Sequence, residues 1–596
     1  MTGSSKASRL FLKSIIGLTL ILLGVLTLTA GAGQAQAPAS AERIAFAAYK
    51  NGQWDIYSLS LDGSELRQLT NDSYEDTDPA YSTDGTKLAY VSRRNNNWDV
   101  YVLDLTKGEL LRVTDSPHYD GRPAWHPNAN LLVYESYQAG NLDIWQVVAD
   151  GSEPATNLTV DSPAGDYAPA WSPDGETIAF TSWRDGNKDL YLLNSGSRST
   201  VRVTNSPAAE EGATWHPDGD KLAFVLDDFG DRELFSLDLT TLPVEDGPVQ
   251  QLTWLGRTDS PHWSPDGSRI AAVFHRWDGE VLVLETPGAR HQLPLELTAV
   301  VTIHGRLSWN RQAVEFGERV STLFDGARPP LYDEGLVPND SPEAERYSLV
   351  RQNDLTVGTP WLADTVDDSF QTWRSHLRDE SGYDFLSELS DAARDIGSYT
   401  ETSQYASWHK SGRAVDTLFD YYVDGQLFHE ITREDYSGET YWRTWLRCSD
   451  QSGRCGRPLT AAPWNYSRLA RTDLAPEQGG AEKPISAGYY VDLTAIAREY
   501  GWDRISSYDD VDYSWTWHFL AFEYWHFQKR LEREPGTGIG NVNWYQAMRQ
   551  VYPQASLDRF FTWDKMRERG EDPYLIALKG VPLPLEHQPW WVLVEQ

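Results

Sequence analysis

From about residue 41 to residue 316 the apolar residues come in short runs, several of them alternating with polar ones. Thr177-Ile178-Ala179-Phe180-Thr181 and Asp189-Leu190-Tyr191-Leu192-Leu193 are typical. Runs of this length, rich in β-branched and aromatic residues and bounded by turn residues, predict strands rather than helices. The punctuation repeats as well. Pro-Asp-Gly forms a tight turn in which Gly supplies the positive φ, and a second polar turn such as Arg184-Asp185-Gly186-Asn187 separates the next pair of strands.

The unit recurs. Pro79-Ala80-Tyr81-Ser82-Thr83-Asp84-Gly85 is followed by Pro123-Ala124-Trp125, Pro169-Ala170-Trp171, Ala213-Thr214-Trp215, Pro261-His262-Trp263 and a partial Leu307-Ser308-Trp309. The aromatic position advances by 44 to 48 residues each time. A period of that size, filled with short strands, predicts a β-propeller. The N-terminal end supplies the later strands of a unit (Ile44-Ala45-Phe46, Trp54-Asp55-Ile56-Tyr57, Gln68-Leu69-Thr70) and the C-terminal end supplies only a first strand. Joining them gives six blades and leaves no open edge. These repeats resemble TolB-type propellers over residues 41–316. The resemblance implies an all-β six-bladed propeller and an envelope protein as a partner. The recurrent Trp, Asp and Gly are read as blade-building residues.

The second half changes character. Residues 317–355 read as a linker or entry segment, and 356–596 as a separate domain dense in Trp and Tyr. Helices are predicted at 370–378, 385–395 and 493–500, and strands at 414–422 and 440–446. Two motifs stand out there: Ser407-x-His409-x-x-Gly412-x-Ala414-x-Asp416, and Glu523-x-Trp525-His526. Two imidazoles and one carboxylate leave a tetrahedral zinc one open position, which marks a catalytic rather than a structural site. Glu523, three residues before His526, is placed to act as a general base.

The paired motifs resemble the VanY-type D-alanyl-D-alanine carboxypeptidases of the hedgehog/DD-peptidase fold. The resemblance implies an α+β domain, Zn²⁺ held by His409, Asp416 and His526, Glu523 as the base, and a peptidoglycan stem peptide as substrate. Two departures stand beside it. Tyr399 falls where that family carries a substrate-binding Arg, with Arg394 and Arg413 as candidates to replace it. The motifs are also far apart, 107 residues from Asp416 to Glu523. Residues 425–487 therefore read as an insertion forming a lid or wall over the site. His518 is a rival to His526 but lacks a Glu three residues before it. His429 and Asp420 read as structural.

Composition then sets the compartment. A formal net charge of −35 argues against nucleic acid, whose phosphates require Lys and Arg. Lys6, Arg9 and Lys13, the apolar run 15–28 and the small residues up to Ala37 form a secretory signal peptide, 1–37. No other stretch is long and apolar enough to span a bilayer. The chain is therefore expected to be exported by a bacterium to the periplasm, cell wall or exterior. There its two cysteines, Cys448 and Cys455, would pair across a short turn. A serine peptidase is rejected because Gly-x-Ser-x-Gly is absent. The expected function is an exported zinc peptidase, a D,D-carboxypeptidase or endopeptidase, with a propeller that binds wall material or an envelope partner. The competing expectation is a non-catalytic envelope binding protein in which the propeller works and the zinc site is structural or decayed.

Overall fold

The computed structural model describes residues 42–587 apart from 51–52, 64, 229–230, 242–248, 277–278, 290–293, 299–301, 313–315, 318–319, 321–333, 335–347, 399–405, 437–438, 468–478, 511–512, 535–537, 572 and 585–586. The signal peptide expected at 1–37, Tyr399 and most of the expected linker lie outside the described residues.

Residues 43–310 form six four-stranded antiparallel sheets. In the first, Arg43–Lys50 lies between Gln53–Ser60 and Thr302–Asn310, with Ile44 opposite Trp309. The two ends of the repeat region thus share one blade. The innermost strands Asp76–Tyr81, Asp120–Trp125, Asp166–Trp171, Ala209–Trp215, Thr258–Trp263 and Thr302–Asn310 contact one another in that order and return to the first. Each carries a register shift. At the shift, Asp78, Arg122, Ala168, Gly212, Ser260 and Gly305 all have positive φ. A bulge of this kind bends the strand and re-aims its backbone groups. Apolar clusters fill the gaps between blades, as where Ala124, Ile144 and Leu158 meet Trp171, Ile178 and Phe180.

The second half is mixed α and β. Helix Asp367–Ser381 buries Phe370, Trp373 and Leu377 against Trp502 and Phe527. A three-stranded sheet of Ala414–Asp416, His526–Gln528 and Asp503–Arg504 crosses this core. Helix Leu493–Glu499 is capped by Asp492, whose side chain accepts from Ala495 N. Cys448 and Cys455 are joined, and Ser449 N donates to Ser381 O at the end of the first helix.

Two local expectations are corrected. Residues 385–395 form only a 3₁₀ turn, Phe385–Ser387. Beyond it the backbone is taken up elsewhere: Leu389 N bonds Thr356 O, while Ser390 N and Asp391 N bond Asp416 O. The strand expected to reach residue 422 stops at Asp416, because its partner is only His526–Gln528. Strands His429–Tyr436 and Glu439–Arg447 pair along their full length, and Glu434, Asp435 and Arg443 on them meet the propeller.

That docking joins the two halves, and 40–596 forms one compact unit. Propeller residues Glu75 and Arg93 meet Glu434, Arg443, Asp492 and Arg498, and Arg504 joins the cluster through Glu434. Arg443 is fully buried and lies 2.6 Å from Glu434 and 3.0 Å from Asp492. Burial alone would raise the Glu434 carboxyl, but Arg443, Arg504 and Arg93 hold it well below the ordinary carboxylate range. Tyr137 donates to Asp435 at 2.9 Å, and the Arg433 guanidinium sits 4.8 Å above the Tyr137 ring.

Candidate metal centre

The site begins with a tight 3₁₀ turn. Ser407 caps Trp408–Ser411 and accepts from His409 N, and Gly412 closes the turn at φ 70°. A Cβ on Gly412 would come 2.5 Å from Leu349 Cδ2 and 2.8 Å from Ala363 N. Only glycine satisfies both the left-handed backbone and that approach. Ala414, fully buried, then starts the strand that ends at Asp416.

Asp416 lies in register opposite His526. His526 Nδ1 is 2.8 Å from Asp416 Oδ1, and His409 Nε2 is 3.1 Å from the same oxygen. All three residues are buried, and one donor atom from each lies within 4.8 Å of the others. His409 Nδ1 pairs with Ala392 O, a carbonyl that can only accept. Its proton is therefore on Nδ1, and in the neutral ring the Nε2 lone pair faces a carboxylate oxygen. Two acceptors at this distance need a cation or a proton between them, so the donor set fits a metal ion. Burial would raise the Asp416 carboxyl, but His409 and His526 keep it far below the usual carboxylate range.

Glu523 stands beside this cluster with φ 58° and hands its carbonyl to His526 N. A non-glycine residue held in the left-handed region is uncommon and is concentrated at functional sites. Burial pushes its carboxyl up to about 7; His526 and Arg394 oppose the shift and Asp416 adds to it. Trp525 forms a wall: Phe419 meets it at 4.4 Å and Phe519 at 5.3 Å.

The other sequence candidates separate cleanly. Arg394 is at the site, with Nη2 3.7 Å from Asp416 Oδ2 and Nε bonded to Asp391. Arg413 is fully buried and spent on Lys529 O and Thr365. His518 packs on Trp517 and is not one of the clustered donors. His429 stacks on Tyr524, accepts from Tyr421 N, and burial lowers its pKa to about 4, so it is a neutral packing residue. Sequence reasoning missed Asp391 and the Ala392 carbonyl, which orient Arg394 and His409. They carry no motif, since one of them acts through its backbone. A second cluster, His216, Asp218 and Asp220, lies in a propeller turn where His216 Nδ1 already accepts from Asp218 N.

Residues 25–153 and 155–292 match the family model of the TolB beta propeller domain. The repeat half is therefore a TolB-like β-propeller. Among solved structures, TolB from Acinetobacter baumannii is 22% identical, over 46% of this chain and 68% of that one, with a TM-score of 0.41. A putative TolB from Agrobacterium tumefaciens is also 22% identical, over 41% and 91% of the two chains, with a TM-score of 0.32. An oligogalacturonate lyase in complex with manganese is 16% identical over 41% and 74%, with a TM-score of 0.32. No curated protein matches the chain. Among the described residues no helix is long and apolar enough to cross a membrane.

Proposed function

We propose that the protein is an exported zinc-dependent peptidase acting on peptidoglycan stem peptides, as a D,D-carboxypeptidase or endopeptidase, with its propeller as a binding module. The observation that carries this reading is the meeting of His409, Asp416 and His526 beside a left-handed, buried Glu523. The three donors would hold the ion. Zinc bound there supplies Lewis acidity, polarising an amide carbonyl and acidifying water.

The chain's own groups divide the remaining work. Ala392 O fixes the His409 ring with Nε2 toward the centre. Asp416 contributes the negative charge and is itself oriented by His526. Glu523 takes the proton of the attacking water and delivers it to the leaving amine, a pair of transfers that suits a carboxyl poised near neutrality. Arg394, half-exposed and tied to Asp391, offers a guanidinium to a substrate carboxylate or carbonyl. Phe419 and Phe519, each more than a third exposed, give the substrate an apolar ledge beside Trp525.

Two measurements on the purified full-length protein test the reading: zinc content, and release of D-Ala or cleaved stem peptide from muropeptides. Zinc near one equivalent with turnover supports it. Zinc without turnover on any muropeptide selects the non-catalytic binding protein instead.

A further inference from the structure

The turn that carries His409 is held from outside itself. A single 3₁₀ turn has poorer hydrogen-bond geometry than an α-helix and little strength alone, so the place of Trp408–Ser411 depends on its neighbours. The His409 ring is fixed by Ala392 O. The backbone around it is met by the C-terminal helices Trp544–Val551, Gln554–Phe560, Trp563–Glu568 and Pro573–Leu578.

These helices share a core in which Met548, Leu557, Met566 and Ile576 are fully buried, and Ala406 and Trp408 pack into it. Trp544 Nε1 donates to Ser407 O at 3.0 Å. The same oxygen accepts from Lys410 N at 3.1 Å, the bond that closes the turn. One residue earlier, Ala406 N donates to Glu571 Oε1 at 3.3 Å. The other Glu571 oxygen pairs with Lys579 Nζ at 2.6 Å, and Lys579 O accepts from Tyr545 N at 2.9 Å. The path therefore leaves Ser407 at Trp544, passes through Tyr545, Lys579 and Glu571, and returns at Ala406. Just after His409 in sequence, Lys410 Nζ lies 5.3 Å from the centre of the Phe561 ring, a cation–π distance. The residues on both sides of His409 are thus gripped by a part of the chain that follows the second motif.

We propose that the C-terminal helices position His409 for the metal, and that the Trp544 indole N–H is the group through which they do so. This rests on the reading of His409, Asp416 and His526 as a metal site. Metal ligands must be held to within about 0.5 Å. Asp416 and His526 take that precision from the pairing of their strands. His409 lies on no strand, and the helices supply it from outside. Trp544 is a positioning residue, because its hydrogen bond goes to the backbone two residues before the ligand. Without the indole N–H, Ser407 O keeps its bond from Lys410 N, so the turn still forms. What is lost is the seating of that turn against the helices, and with it the aim of His409.

Titration of the metal-free full-length protein with Zn²⁺, in competition with a chromophoric chelator, tests this. Trp544→Phe is expected to weaken zinc binding about tenfold or more, the usual cost of losing a group that orients a ligand. Ile576→Ala is the control, since it truncates the same core and removes no hydrogen bond to the turn. It is expected to lower the melting temperature and to keep the parental zinc affinity. If Trp544→Phe does not fold, Glu571→Gln carries the test. It keeps the size of the side chain, gives up the Lys579 pair, and is expected to weaken zinc binding more than Ile576→Ala does. Parental zinc affinity in the folded variant, or an equal loss in Ile576→Ala, overturns the proposal alone. A parent protein that binds no zinc overturns the metal reading and this proposal with it.

Discussion

His526 and Asp416 face each other across two short antiparallel strands, with Nδ1 2.8 Å from Oδ1, although 110 residues separate them in sequence. The pairing sets their distance by backbone register, not by flexible side chains. Such placement on strands is what a metal site needs for fixed ligand geometry. It also makes the site depend on everything that holds the strand 526–528 in place. Arg504, in the charge cluster at the propeller, is paired opposite Phe527 in that same strand arrangement.

The first expectation concerns roles. Glu523→Gln should keep the metal and lower peptide hydrolysis about 10²–10⁴-fold, the usual worth of a general base. His409→Ala and His526→Ala should lose both metal and activity. Metal content by atomic spectroscopy, with hydrolysis rates, separates the two behaviours; full activity in Glu523→Gln would remove that residue from the mechanism.

A second expectation concerns closure of the propeller. Deleting residues 41–70 removes three strands of the first blade and leaves Thr302–Asn310 without its partner. Trp309, now 6% exposed, would lose Ile44 across the ladder. The variant should unfold without cooperativity and be cut rapidly by protease. A deletion variant that melts like the parent would show that the blade does not hold the ring.

The third concerns the docking charges. Arg443 is fully buried between Glu75, Glu434 and Asp492. Arg443→Met removes the central cation and leaves Arg93, Arg498 and Arg504 to balance those acids, and should destabilise the chain by about 3–5 kcal/mol. Denaturant unfolding followed by Trp fluorescence should change from one transition to two as the halves uncouple. Activity should fall too, because Arg504 shares Glu434 and lies beside the strand bearing His526.

The fourth is a pH dependence. Burial pushes the Asp143 carboxyl up to about 7 and that of Asp120 to about 6, and hydrogen bonds from neutral side chains only partly reverse it. Neither forms an ion pair with a described residue. In the unfolded chain such groups titrate near 3.9. The folded state therefore holds extra protons between these values, and the stability this contributes is complete below about pH 4 and lost as pH rises through about 6 to 7. The melting temperature should fall between pH 5.5 and pH 8, and Asp143→Asn should flatten the slope. A melting temperature that rises over this range would contradict the assignment.

The strands, turns and period of the propeller were legible in the residues themselves. Alternation of apolar and polar side chains, Gly at a left-handed turn and an aromatic every 44 to 48 residues are local properties, and each blade is built almost entirely from local pairings. The metal motifs were legible for a similar reason: Gly412 and Ala414 are required by the turn and strand that carry His409 and Asp416. The helix expected at 385–395 failed where the chain stopped being local. Its Ser390 and Asp391 amides are taken by Asp416 O, a partner that no propensity of that segment reveals. The same holds for the Ala392 carbonyl behind His409 and the charges joining the two halves. Those relations involve residues far apart in sequence, and their energies depend on burial and distance, which exist only once the chain has folded.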